Sequence, residues 1–214
     1  MKLLIITDSL GYPRITPEIV NYDETWCHLL SKQYDAYQFS FGGATVLLLL
    51  KQAKGYLQLY RPDIVIVQAG IVDCAPRALT KKENYLINKY WITRKLMRIC
   101  AGKIIPVLRK RNIAYTSLSQ FEKSVLEFKK LFHNKLFWVG ILPAGIDYEQ
   151  KNPGIKNRIC VYNQIVRDYI ENRFIDMSEI DQKYLMSDHH HLNIFGHKYL
   201  AEKVIEKITT VSPL

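Results

Sequence analysis

Ile64-Val65-Ile66-Val67-Gln68-Ala69-Gly70 is an almost unbroken apolar run closed by a glycine. A run this short and this rich in β-branched residues reads as a strand buried on both faces, the signature of a parallel sheet covered by helices. Leu136-Phe137-Trp138-Val139-Gly140-Ile141-Leu142-Pro143 repeats the pattern seventy-two residues later. Working outward from these two, strands are predicted over 2–7, 34–39, 63–68, 135–142 and 174–176.

Longer stretches with helical period separate them. Helices are predicted over 17–32, 45–60, 82–111 (broken near Gly102 and Pro106), 119–133, 155–172 and 193–209. Pro17 and Glu18 suit a first turn, where a missing N–H does no harm and a carboxylate meets the helix dipole. Five strands alternating with helices make an α/β protein, a three-layer α/β/α sandwich on a five-stranded, mainly parallel sheet. With 214 residues, 48% of them hydrophobic, the chain suffices for one substantial core, and residues 1–214 are expected to form a single domain.

Composition narrows the function classes. Cys27, Cys74, Cys100 and Cys160 are scattered and form no CxxC pair, so they read as free thiols of a reducing compartment. The N-terminal apolar run stops at Thr7 and Asp8, too soon for an export signal, and Val46 to Leu50 is far short of a membrane span. A cytoplasmic location is expected. The formal charge of +10 raises a nucleic-acid reading, with dense basic spots at Lys81-Lys82, Arg94-Lys95, Arg98 and Arg109-Lys110-Arg111. No aromatic-basic recognition motif or zinc-finger spacing accompanies them, so no nucleic-acid partner is expected; a solvated basic surface or attraction to an anionic substrate explains the charge.

In parallel α/β sheets the working residues cluster at the carboxyl ends of the strands. After the first strand stands Thr7-Asp8-Ser9-Leu10-Gly11, after the second Ser40-Phe41-Gly42-Gly43-Ala44-Thr45, and after the third Ala69-Gly70-Ile71-Val72-Asp73. A serine there presents its hydroxyl to a substrate and its backbone N–H to a developing oxyanion, and Gly43 lets a second N–H approach. By itself TDSLG also reads as an ordinary capped turn.

Asp188-His189-His190-His191-Leu192-Asn193-Ile194-Phe195-Gly196-His197 weighs against that plain turn. It supplies a carboxylate and an imidazole three residues apart, just before a helix. Serine is a weak nucleophile until a base takes its proton, and the base works best when a carboxylate fixes its tautomer. Asp188 and His191 fill those roles. A zinc site built from Asp188, His189, His190, His191 and His197 is the competing reading; adjacent histidines on a regular backbone do not all aim at one ion, so no metal and no cofactor is assigned.

These ordered blocks resemble the SGNH, or GDSL-like, hydrolase superfamily across residues 5 to about 205. Thr7-Asp8-Ser9-Leu10 is similar to the first block and implies Ser9 as nucleophile. Gly42-Gly43 is similar to the second, with Gly43 as the oxyanion glycine and Gly42 as fallback. The third block, Gly-x-Asn-Asp, is met as Gly70-Ile71-Val72-Asp73, so Val72 stands where the oxyanion asparagine is expected and Asp73 takes a supporting role. The last block, Asp-x-x-His, is met as Asp188-His189-His190-His191. The resemblance implies a flavodoxin-like fold and a Ser9-His191-Asp188 triad acting through an acyl-enzyme. Asp8 and Gly70 belong to the same blocks.

Loss of an oxyanion donor costs about 100-fold to 1000-fold in rate elsewhere. Arg77, in Asp73-Cys74-Ala75-Pro76-Arg77, is the nearest stand-in; it equally suits gripping a carboxylate or phosphate, or a plain surface position. The implied activity is hydrolysis of a small acyl ester, with an O-acetylated carbohydrate favoured because the third block is similar to that of members associated with surface-polysaccharide synthesis. The alternatives are an O-acetyltransferase of such synthesis and a catalytically weak glycan-binding member. Residues 75–111 are long enough to form a helical cap over the pocket.

Overall fold

The structure, a computed structural model of the chain, describes residues 1–111 and 113–211. In chain order the elements are β1 (Lys2–Thr7), α1 (Trp26–Ser31), β2 (Asp35–Ser40), α2 (Val46–Gly55), β3 (Ile64–Gln68), α3 (Ile71–Cys74), α4 (Lys81–Lys89), α5 (Trp91–Arg109), α6 (Leu118–Phe132), β4 (Leu136–Val139), α7 (Ile146–Lys151), α8 (Ile155–Ile170), β5 (Phe174–Ile175) and α9 (Ile194–Val211).

The five strands form one sheet in the order β2-β1-β3-β4-β5, and every pairing is parallel. The fold is the expected three-layer sandwich, its sheet wholly rather than mainly parallel. α1 packs with α9, and α2, α6 and α8 pack in series. β3 is buried along its whole length and β1 beyond Lys2, as the double-sided burial of a central parallel strand requires. The chain leaves β1 in one direction and β3 in the other, so the crevice between their carboxyl ends is a topological switch point, where such sheets bind ligands.

Four predicted elements differ; the helix over 45–60 ends at Gly55, and Leu57–Tyr60 form a separate 3₁₀ turn. The helix over 17–32 shrinks to α1. Arg14 and Val20 exchange backbone hydrogen bonds (2.8 and 2.9 Å), an extended pairing that excludes Pro17 and Glu18 from a helix, and Thr25 caps α1 through the His28 N–H instead. The break in 82–111 falls at Tyr90, which is extended, and α5 continues through Gly102 and Pro106. A proline forfeits one helical hydrogen bond, whereas the extended Tyr90 turns the chain. The strand over 135–142 ends at Val139, and Ile141 is held instead by the Asn163 side chain, which both accepts from its N–H (2.8 Å) and donates to its carbonyl (2.9 Å). The short helices α3 and α7 carry too few residues to show a period.

Candidate active site

Asp8 is the hinge between β1 and the site. Its N–H donates to the Gln68 carbonyl (3.2 Å) and its carboxylate caps a single 3₁₀ turn, Ser9–Gly11, by accepting from the Leu10 N–H (2.9 Å). Ser9 thereby opens that turn at the mouth of the sheet. Its Oγ lies 3.4 Å from His191 Nε2, and His191 Nδ1 lies 2.6 Å from Asp188 Oδ2.

Asp188 is organised by its own loop. Oδ1 accepts the backbone N–H groups of His190 (3.1 Å) and His191 (3.0 Å). Burial pushes the Asp188 carboxyl up, but hydrogen bonds from the His191 ring and backbone and the charges of His190 and His191 outweigh it and hold it below the usual carboxylate range. Asp188 is therefore ionised, it can only accept, and His191 Nδ1 carries the hydrogen. His191 Nε2 is left with its lone pair toward Ser9.

The three consecutive histidines diverge. His189 adopts a left-handed backbone (φ 63°) and reaches Asp147 of α7 at 3.5 Å. His190 stacks on Tyr148 of α7 (5.2 Å between ring centroids) and leans against His191 (3.9 Å). Burial and the neighbouring His191 charge lower its pKa to about 4, so it is neutral near pH 7 and charged only in the acid range where Asp188 titrates. His197 accepts the Trp26 N–H at Nδ1 (3.2 Å), and burial lowers its pKa to about 4 as well. Asp188, His190 and His191 do bring one potential metal-ligand atom each within 4.8 Å of one another. His189 and His197 point to other partners, so these three residues come together without the other two and the five-residue zinc constellation is not assembled.

The loop before α9 is locked to the body. The Asn193 amide donates to the carbonyls of Lys183 (2.7 Å) and Leu185 (3.2 Å), and its Oδ1 accepts the Gly196 N–H (3.0 Å). A Cβ at Gly196 would collide with the Tyr184 carbonyl oxygen. Glu18 accepts the Ser187 N–H (3.0 Å) and ties the same loop to the segment after Ser9.

Gly42 and Gly43 follow β2, next to β1 in the sheet. The Gly42 N–H donates to the Tyr12 hydroxyl (3.2 Å), which in turn donates to the Ser40 carbonyl (2.8 Å). Gly43 takes φ +71° with open space where a Cβ would stand. Gly43 also lines a groove of about 710 Å³ that runs along α2 past Thr45, Leu48 and Lys51 to Tyr115.

Gly70 starts α3 at φ +131°, with Ile141 packed where a side chain would go. Val72 is buried in α3. Asp73, fully buried, accepts the Val46 N–H with both carboxylate oxygens (3.0 and 3.2 Å) and the Thr116 hydroxyl. It therefore clamps the start of α2, just beyond Gly43. Arg77 lays its guanidinium on the Tyr115 ring (4.8 Å), and its backbone N–H donates to the Ile113 carbonyl (2.8 Å); no described contact joins it to Ser9 or Gly43.

Two residues escaped the sequence reading. Arg14 donates from Nη2 to the Ser9 carbonyl (3.1 Å) and lies in the field of both Asp188 and Asp8. Tyr12 braces the glycine turn. Neither belongs to a spacing pattern, and only the folding back of the loop after Ser9 brings them in.

Solved structures share this architecture. A lipase/acylhydrolase from Enterococcus faecalis superposes with a TM-score of 0.66 at 13% identity, covering 98% of this chain and 95% of its own. A variant of an acetyl xylan esterase from Geobacillus stearothermophilus gives 0.60 at 16% identity, covering 97% and 94%. A GDSL-like lipase from Bacteroides thetaiotaomicron gives 0.60 at 11% identity, covering 100% and 89%. At these identities the likeness establishes a common fold. No protein-family model matches the chain, and no curated protein matches it in sequence.

Proposed function

We propose that the chain is a member of the SGNH (GDSL-like) hydrolase superfamily and a serine-dependent ester hydrolase, acting on a small acyl ester such as an O-acetylated carbohydrate. The observation that carries this reading is the hydrogen-bonded series Ser9 Oγ, His191 Nε2, His191 Nδ1, Asp188 Oδ2 at the mouth of the sheet. His191 takes the Ser9 proton as Oγ bonds to the ester carbonyl carbon, and the ionised Asp188 steadies the imidazolium. Backbone N–H groups of Ser9 and Gly43 receive the oxyanion. The C–O bond to the alcohol then breaks and His191 returns the proton to the departing oxygen; water, deprotonated by His191, bonds to the acyl carbon, the Oγ–acyl bond breaks to release the carboxylic acid, and His191 gives its proton back to Ser9 Oγ.

The acyl or alcohol part beyond the reacting carbon has room in the groove that begins at Gly43. The esterase and lipase neighbours of the same fold support an ester as substrate, and the acetyl xylan esterase among them supports an acetylated carbohydrate. The four unpaired cysteines support a reducing compartment. Val72 in place of an amide donor supports a second reading, a catalytically weak member that binds glycans.

Turnover of p-nitrophenyl acetate, with fluorophosphonate labelling of Ser9, tests the proposal. Ser9→Ala is expected to lower the rate by at least about 1000-fold and abolish labelling; equal rates for parent and variant, with no label on Ser9, refute it. Acyl transfer to an added sugar at the expense of hydrolysis identifies a transferase instead.

A further inference from the structure

α4 and α5 leave the body as a helical hairpin between the loop after β3 and α6. Its base is closed where the Arg77 N–H donates to the Ile113 carbonyl (2.8 Å) and where Glu83 pairs with both terminal nitrogens of Arg111 (2.9 and 3.2 Å). Its corner is held by the Thr93 hydroxyl against the carbonyls of Ile87 and Tyr90.

The hairpin holds most of the molecule's charge imbalance. Residues 81–111 carry ten of the chain's thirty Lys and Arg but only Glu83 of its twenty acidic residues, so nine of the net +10 reside there. Glu83 itself is engaged by Arg111. Interleaved with these cations is an apolar surface. Trp91 (65%), Ile92 (62%), Leu96 (59%) and Ile99 (73%) are all well exposed. Ile92, Leu96 and Ile99, spaced by four and three residues, share one face of α5; Lys95 flanks that face, and Arg98 and Arg94 lie progressively further round toward the opposite side.

We propose that this hairpin is a docking surface for an anionic lipid bilayer, with α5 lying in the headgroup plane. A ridge of exposed aliphatic side chains, with a tryptophan at the N-terminal end of the same helix, gains by leaving water, and the long cationic side chains on its flank and far side gain by reaching anionic headgroups; an amphipathic interfacial helix uses both terms. A second copy of the chain would bring nine positive charges against nine. Nucleic acid would answer the charge and leave the aliphatic ridge wet. No helix among the described residues is long and apolar enough to cross a membrane, so the hairpin lies on the surface.

Trp91 supplies the readout. The other two tryptophans, Trp26 and Trp138, are fully buried, so a change in emission on adding vesicles reports the hairpin. The full chain is expected to float with phosphatidylcholine vesicles containing phosphatidylglycerol, with a blue-shifted Trp91 emission, and not with phosphatidylcholine alone. The triple variant Arg94→Glu, Lys95→Glu, Arg98→Glu should bind on the order of 100-fold more weakly. Leu96→Ser with Ile99→Ser should weaken binding while leaving its salt dependence in place.

Folding of each variant is checked by circular dichroism and by hydrolysis of a soluble ester. If no such hydrolysis is found in the parent, the catalytic reading fails and the vesicle result still stands. Absence of flotation, equal flotation with neutral vesicles, or undiminished binding by the charge-reversed variant overturns the proposal. Preferential binding of nucleic acid, unaffected by the two serine substitutions, overturns it in favour of a nucleic-acid surface.

Discussion

His191 makes two hydrogen bonds of unequal length, 2.6 Å to Asp188 and 3.4 Å to Ser9. The short one fixes the ring; on the proposed mechanism the long one tightens when substrate fills the site. On the same mechanism oxyanion support is thinner, because Val72 offers no donor. Val72→Asn should raise kcat, on the order of 100-fold if the amide reaches the oxyanion, and steady-state kinetics on p-nitrophenyl acetate checks it. Asp8 makes a second residue-scale prediction. Burial first, and the Asp73 charge in addition, raise its pKa to about 7 from its ordinary 3.8, against the opposing Leu10 N–H and Arg14. Between those two values the folded chain holds a proton that the unfolded chain has released, so this group lowers stability as pH rises from about 4 to 7. His197, lowered from 6.5 to about 4, works oppositely over nearly the same window, since the unfolded chain there binds the extra proton. The two slopes offset. Asp8→Asn removes one of them, so the variant should match the parent near pH 4 and exceed it by up to about 4 kcal/mol at pH 8, as measured by urea denaturation at both pH values.

At the scale of elements, what aims the side chains is a set of clamps between loops. Asp73 joins the α3 loop to the first turn of α2, and Asn193 joins the start of α9 to residues 183–185. Gly196 allows that second junction to close against the Tyr184 carbonyl. Gly196→Ala should therefore cost roughly 1–3 kcal/mol of stability through forced displacement, and should lower kcat more than it raises KM because His191 moves with its loop; melting curves and steady-state kinetics separate the two effects. The strands were legible because a doubly buried strand must be apolar throughout, and α6, α8 and α9 because one face of each must be. The helix over 17–32 was misread because Pro17 and Glu18 suit a helix start and an extended loop equally. The Arg14–Val20 pairing that decides between them depends on chain reversal rather than on composition.

For the molecule as a whole, the hydrophobic core contains no described residue of the 81–111 hairpin, and none lines the groove beside Gly43. Replacing residues 81–111 by a short Gly-Ser turn should leave a cooperative fold whose melting temperature moves by only a few degrees, with hydrolysis of a soluble ester retained. Calorimetry and p-nitrophenyl acetate turnover check this; a large rise in KM would show instead that the hairpin caps the pocket. The sequence by itself determined the layered parallel sheet and the residues gathered at its carboxyl edge, because burial on two faces and the turns after strands are local demands written in consecutive residues. Only the tertiary structure decided that His191, already picked out in the sequence, comes within reach of Ser9 while His189 and His190 turn to α7, that Arg14 and Tyr12 join the site, and that the charged hairpin stands apart from the core. Those outcomes depend on side-chain direction and on partners up to 182 residues away, brought together when the sheet closes in the order β2-β1-β3-β4-β5.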